Sequence, residues 1–182
     1  TDATAVTHFG YGADVFQEYF SEKHNYYIYP TTFWRLSPHT TDDVARFDAE
    51  APSTIDTFPP YFEIIKLEPN ERIKFGDGEK IAQYHTAWFE NMVQESIEHK
   101  LDFKNDIIIT DMFATEDVFL HDIKITMPNL DKAREVHSTA VQTDAAEIFI
   151  LTLYGSRAEV YDDRIDEFVY SVNTFSPQNE RD

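Results

Sequence analysis

The segment EIFILTLYGSRAEVYDDRIDEFVYSVNTF, residues 147–175, combines the two patterns from which the fold of this chain can be built. Its first part, Ile148 to Tyr154, is a near-continuous apolar run, which is typical of a β-strand covered on both faces. Gly155 and Ser156 interrupt this run. From Glu159 onward the apolar residues recur three and four positions apart, which predicts a helix with one apolar face. Since such a strand needs neighbouring strands and such a helix needs a sheet beneath it, we expect the rest of the chain to supply a sheet.

The segments on either side of this stretch predict the remaining strands. Residues 134–142 are followed by a short turn at residues 143–146, so we expect them to form a β-hairpin with the buried strand. A helix beginning at Asn129 is the alternative interpretation of the same segment. Further strands are predicted at Asn25–Pro30, Val44–Ala49, Tyr61–Leu67, Asp106–Phe113 and Val118–Met127.

A long amphipathic helix is predicted between the two groups of strands, at residues 80–99, with Asp77 as its N-cap. Separate runs of strands with two helices indicate an α+β fold, an antiparallel β-sheet with helices packed on it. We expect one domain over residues 25–176, preceded by an N-terminal arm or short helix in residues 1–24 and followed by a flexible tail at 177–182.

The composition restricts the class of protein. The chain has 182 residues, of which 42% are hydrophobic and 15% aromatic, enough for one domain with a substantial core. Its 34 acidic and 15 basic residues give a net charge of -19, which disfavours nucleic acids and anionic membrane surfaces as partners. The absence of cysteine excludes disulfides, thiolate nucleophiles and sulfur-ligated metals.

No motif in the sequence indicates catalysis. The seven histidines include no H-x-x-x-H or H-E-x-x-H spacing, and the chain has no G-x-S-x-G, no phosphate-binding loop and no calcium-binding loop. His121 and Asp122, near other carboxylates, are the one candidate acid–base pair, but adjacent residues of a regular strand point to opposite faces. We therefore predict no catalytic residues, no metal and no cofactor.

Aromatic residues concentrated in the first third of the chain are the candidate binding residues. A partner-binding arm is predicted from His8, Phe9, Tyr11, Phe16, Tyr19 and Phe20. The alternative is a hydrophobic ligand cavity lined by Tyr27, Tyr29, Trp34 and Tyr61. A core built with aromatic side chains explains the same composition without any binding function.

Two segments resemble the PsbP-like family and its bacterial DcrB-like relatives. The first is SEKHNYYIYPTTFW, residues 21–34, in which an apolar strand stops at Pro30 and is followed by Trp34. The second is residues 147–175, a strand with a threonine followed by a closing helix that ends in SVNTF. The tryptophan lies one place later than is usual in the family. The acidic D-N-Q-E motif of the nuclear-import branch is absent, which argues against binding of Ran.

The resemblance implies an α/β/α sandwich and a protein without catalysis. Similar proteins are extrinsic subunits of photosystems in the thylakoid lumen, assembly factors, or periplasmic lipoproteins. By this resemblance we expect an acidic, exported, soluble protein with a processed N-terminus, which acts through protein–protein interaction with subunits of a membrane-bound complex, without inserting into the membrane. A DcrB-like lipoprotein domain or a binder of small hydrophobic ligands is the alternative, and an enzyme that uses histidine and carboxylates is the least favoured.

Overall fold

The computed structural model describes residues 8–9, 16–49, 60–96, 107–114, 118–127, 134–154 and 161–178. These residues form two helices and three antiparallel sheets. The strands are β1 His8–Phe9, β2 Phe16–Gln17, β3 Tyr19–Ser21, β4 Tyr26–Ile28, β5 Trp34–Leu36, β6 Val44–Ala49, β7 Tyr61–Leu67, β8 Ile107–Ala114, β9 Val118–Met127, β10 Arg134–Thr143, β11 Ile148–Tyr154 and β12 Ser176–Pro177. The helices are α1 Gly78–Ser96 and α2 Tyr161–Val172.

The largest element is a seven-stranded sheet with the order β5-β6-β7-β11-β10-β9-β8. β11 lies in its centre, between β7 and β10, and all seven of its residues are buried. The predicted buried strand and its hairpin with residues 134–142 are therefore confirmed. The alternative helix from Asn129 is wrong for the described part of that segment, because Arg134–Thr143 pairs along its whole length with β9.

The two helices cover opposite faces of this sheet. On one face, Ile81 of α1 packs with Ala140 and Ile150. On the other face, Phe168 of α2 packs in a cluster with Leu151. Since strand side chains alternate between faces, Ile150 and Leu151 point to the two different helices. The α+β fold with an α/β/α arrangement is thus confirmed.

The predicted N-cap of α1 is also present. The Asp77 carboxylate accepts a hydrogen bond from the backbone N–H of Lys80 at 3.2 Å. This bond satisfies one of the backbone donors that the first turn of a helix leaves without a partner.

A second sheet, with the order β12-β4-β3, lies beside α2 and packs on the core. Tyr19, Tyr26 and Ile28 point inward and are at most 3% exposed. Residues 16–21 therefore form strands in place of the short helix that their aromatic spacing allowed. Burial alternates from residue 16 to residue 21, which is the period of a strand.

The C-terminal segment completes this second sheet. Ser176 pairs with Tyr27, and the backbone N–H of Gln178 donates to the Asn25 carbonyl at 2.8 Å. Residues 177–178, assigned to a flexible tail from the sequence, thus belong to the domain.

Two hydrogen bonds to Glu167 of α2 attach the segment that leads into β5 to the domain. The Trp34 indole N–H donates to the Glu167 carbonyl at 3.3 Å, and the Thr31 hydroxyl donates to the Glu167 carboxylate at 2.7 Å. Trp34 is 1% exposed and meets the ring of Phe62 edge-on at 4.9 Å. Edge-to-face aromatic pairs of this kind contribute about 0.5–1.5 kcal/mol beyond the burial of their area.

Candidate functional site

A chain of buried polar side chains lies beneath α1. His85 on the helix contacts His121 of β9 through their Nδ1 atoms, 2.8 Å apart, and its Nε2 lies 2.9 Å from the Ser138 hydroxyl of β10. Ser138 in turn is 2.9 Å from the Thr152 hydroxyl of β11. Each of the four side chains is at most 1% exposed. We call these four residues the buried histidine network.

The secondary structure explains why these four side chains meet. Ser138 and Thr152 are directly opposed in the β10–β11 ladder, so their side chains lie on the same face. That face is the one that carries Ala140 and Ile150 toward α1. On α1, His85 follows the buried Ile81 by four positions, which places both on the covered side of the helix.

The environment keeps both imidazoles neutral. Burial, followed by the proximity of His121, lowers the pKa of His85 from 6.5 to about 3. Burial also lowers the pKa of His121. With both rings neutral, one Nδ1 carries the hydrogen and the other accepts it. Among the described residues, Nε2 of His121 has no hydrogen-bond partner.

The distances in this network are those of a nucleophile and its base, but the setting is not that of an active site. The hydroxyl of Ser138 lies within hydrogen-bond distance of an imidazole that a second imidazole orients. A substrate, however, would have to reach a hydroxyl that is 0% exposed. A base with a pKa near 3 is also far from the value that favours proton transfer at neutral pH. The buried histidine network is therefore closed to solvent and hydrogen-bonded within the core.

The candidate acid–base pair His121 and Asp122 is separated by the sheet, as the alternation of the strand predicts. His121 faces α1, whereas Asp122 accepts a hydrogen bond from the Thr139 hydroxyl at 2.6 Å and lies 3.9 Å from Nε2 of His137. Although burial opposes ionisation of Asp122, its contacts with His137 and Thr139 outweigh it and lower the pKa. The two residues thus belong to separate networks on the two faces of the sheet.

A row of half-buried aromatic rings occupies the outward side of the second sheet. Phe20 of β3 and Tyr27 of β4 are directly paired, and their ring centroids are 4.6 Å apart. The Tyr29 ring follows at 6.3 Å from that of Tyr27, with the two planes within 5° of parallel. All three side chains are partly accessible. Tyr26 and Ile28, which alternate with Tyr27 and Tyr29 along the chain, are buried. We call Phe20, Tyr27 and Tyr29 the outer aromatic face.

The predicted partner-binding residues divide between this face, the core and the undescribed part of the chain. Phe16 and Phe20 point outward and are half-buried. Tyr19 is 3% exposed and meets the ring of Phe47 edge-on at 5.2 Å, so it is a core residue. His8 and Phe9 lie in β1, paired with β2, and their side chains are outside the described set, as is Tyr11 entirely.

The four residues predicted to line a ligand cavity lie in three different places. Tyr27 and Tyr29 are on the outer aromatic face, and Trp34 is in the core next to α2. Tyr61 lies on the face of the main sheet that α1 covers, where it stacks on Tyr154 at 4.8 Å and carries the Arg46 guanidinium 3.7 Å above its ring. These side chains therefore do not line one common cavity.

Sequence reasoning missed most of the buried histidine network. His85 could have been found as a histidine within the apolar stripe of the predicted helix. Nothing in the strand sequences singles out Ser138 or Thr152, because small hydroxyl residues occur in many strands. In the part of the chain that the structure describes, no group of three or more histidine and carboxylate side chains is placed to hold a metal. No helix within the described ranges is long and apolar enough to cross a membrane.

Solved structures of other proteins share this fold. The chain is similar to LpqN of Mycobacterium tuberculosis, described as involved in cell envelope biogenesis, with 15% identity, a TM-score of 0.52, and 96% of this chain and 90% of that one covered. It is also similar to the PsbP protein (CyanoP) of the cyanobacterium Synechocystis, with 14% identity, a TM-score of 0.56, and 95% and 98% of the two chains covered. No protein-family model and no curated protein sequence matches the chain. At 14–15% identity, the similarity shows a common fold and nothing more. It confirms the predicted PsbP-like fold.

Proposed function

We propose that this PsbP-like domain is a non-catalytic extrinsic subunit or assembly factor of a membrane-bound complex, and that it acts through protein–protein interaction. The observation that carries the proposal is the outer aromatic face. Phe20 and Tyr27 remain partly accessible to solvent, whereas Tyr19, Tyr26 and Ile28 of the same two strands are buried in the core. Aromatic side chains of this kind are enriched at the energetic centres of protein interfaces.

The compartment and the complex belong to the same proposal. One structural neighbour is described as acting in cell envelope biogenesis, and the other is a cyanobacterial PsbP. Both descriptions support an exported protein that works next to a membrane, in a periplasm or a thylakoid lumen. The closed geometry of the buried histidine network supports a role without catalysis.

The N-terminal residues extend the proposed interface. β2 continues directly into β3, and β1 pairs with β2, so the predicted arm residues are joined to the outer aromatic face by the backbone. Within that predicted set, Phe16 and Phe20 are the residues with partly accessible described side chains. We therefore place the contact with the partner on Phe16 and Phe20 together with residues 8–11.

Site-specific photocrosslinking tests this function. A benzoylphenylalanine at position 20 should crosslink, in cells that express the chain, to one defined protein of a membrane complex. The same group at Tyr170, which is 56% exposed on α2, provides a matched control at an aromatic surface position. Equal crosslinking patterns at the two positions, or no adduct at position 20, would contradict the proposal. Removing residues 1–15 should weaken the adduct while the domain stays folded, because β3 and its core residue Tyr19 remain.

A further inference from the structure

Two carboxylates border the outer aromatic face and give it a definite chemistry. Along residues 16 to 22 the outward positions are occupied alternately by Phe16, Glu18, Phe20 and Glu22. Glu18 is half-buried, and Glu22 is exposed in the turn between β3 and β4. Accessible aromatic rings and carboxylates thus alternate along residues 16–22, on the segment that runs from β2 through β3 into the following turn.

One of these carboxylates acts electrostatically on the outer aromatic face. Burial, followed by the negative charge of Glu18, raises the pKa of the Tyr29 hydroxyl. The nearest lysine in the sequence, Lys23, pairs with Asp43. Its ammonium donates to the Asp43 carboxylate, on the loop before β6, at 2.5 Å.

We propose that the outer aromatic face, with Glu18 and Glu22, binds a basic segment of the partner protein. This inference rests on the proposed function and specifies the chemistry of the partner. Lysine and arginine side chains gain from carboxylates and from aromatic ring faces at the same time, because the ring quadrupole attracts cations. The net charge of -19 adds long-range attraction for a basic surface and repels acidic ones.

The shape and charge of the face disfavour other classes of ligand. Small molecules usually bind in concave pockets, whereas these partly accessible rings lie side by side along β3, β4 and the residue that follows β4. Anionic lipid headgroups and nucleic acid phosphates are repelled by carboxylates. A row of rings with carboxylates beside it fits an extended peptide segment that carries lysine or arginine between apolar residues.

A pair of synthetic peptides tests the inference on the whole chain. The probe is a ten-residue peptide of alternating lysine and leucine, and its control replaces lysine with glutamate. Binding of the probe, followed by NMR of the labelled protein, should shift the amides of β3 and β4 first, and the control should not bind. Shifts spread evenly over the acidic surface would show unspecific charge attraction and would overturn the proposal.

Charge-matched variants separate this site from the general charge of the chain. Glu18→Gln with Glu22→Gln changes the net charge from -19 to -17, and so does Glu90→Gln with Asp166→Asn at exposed positions on the two helices. We expect the first pair to weaken probe binding about tenfold and the second less than twofold, since exposed charges act mainly at short range in salt. Equal weakening by both pairs would contradict the inference.

An aromatic pair of variants completes the test. Tyr27→Ser should weaken probe binding severalfold, whereas Tyr170→Ser, which removes an exposed tyrosine from α2, should leave it unchanged. The melting temperature of each variant shows that it is folded. If position 20 crosslinks to a partner whose contacting segment is neutral or acidic, the proposed function stands and this inference fails. If position 20 gives no adduct, the proposed function fails whatever the peptides show.

Discussion

Replacing His85 by glutamine should reduce the loss of stability that this fold undergoes between pH 7.5 and pH 5.0. His85 is buried and neutral in the native state, where its pKa is about 3, whereas in the unfolded chain it titrates near 6.5. Below pH 6.5 the unfolded state therefore binds one proton more than the native state, so stability falls as the pH falls toward 3. Glutamine cannot be protonated, and its amide is long enough to reach Ser138.

The magnitude follows from the two pKa values. For each pH unit over which the unfolded chain binds one proton more than the native state, the free energy of unfolding falls by about 1.36 kcal/mol. From pH 6.5, the pKa of His85 in the unfolded chain, to pH 5.0 is roughly 1.5 units, which gives a loss of about 2 kcal/mol for His85 alone. His121 and His24, whose pKa values burial also lowers, contribute in the same direction and remain in the variant. The wild type should thus lose about 2 kcal/mol more than H85Q between pH 7.5 and pH 5.0.

Urea unfolding at the two pH values measures this difference directly. H85Q starts from a lower stability at pH 7.5, by about 1–3 kcal/mol, because His121 loses its partner in the core. The comparison concerns the change between the two pH values within each protein, so this offset cancels. His39→Gln, which removes an exposed imidazole, serves as control and should keep the wild-type loss. If H85Q and the control lose the same free energy as the wild type, the burial of a neutral His85 is refuted.

Three further predictions concern single side chains, with urea unfolding as the common measurement. Trp34→Ala should lower the free energy of unfolding by about 3–5 kcal/mol because it empties a site filled against Phe62; a loss below about 1 kcal/mol would contradict this packing. Asp77→Ala should cost about 1 kcal/mol, whereas Asp77→Asn, which keeps the capping oxygen, should cost little. Ala146→Gly should stabilise the chain by about 0.5–1 kcal/mol, because Ala146 has φ = 66°, while the adjacent Ala145→Gly should not; equal effects would contradict the backbone assignment.

The main sheet was predictable because its strands carry local signals. An apolar run such as Ile148–Tyr154 has to be buried in any fold that the chain adopts. The short turn after residue 142 allows only a hairpin between this run and the strand before it. The separation of His121 and Asp122 was predictable for the same reason, since the two-residue period of a strand holds for any partner strand.

The aromatic segment near the N-terminus shows where local patterns fail. Apolar and aromatic residues at positions 15, 16, 19 and 20 fit two helical turns. A strand fits only when Tyr19 is known to face a core that the rest of the chain supplies. The buried histidine network was inaccessible for a related reason. Its members come from four elements, and the contact between His85 and Ser138 spans 53 residues of sequence.

The local pattern of the chain thus specifies the layers of the fold: a buried central strand, its hairpin, and two helices with one apolar side each. The second sheet depends on the folded arrangement, because it joins β4 to a C-terminal strand, and Asn25 is bonded to Gln178 across 153 residues. This pairing turns Tyr26 and Ile28 inward, and the strand alternation then turns Tyr27 and Tyr29 outward. The local pairing of β3 with β4 sets Phe20 beside Tyr27, but only the packing of Tyr26 and Ile28 on the distant core decides that these rings face outward.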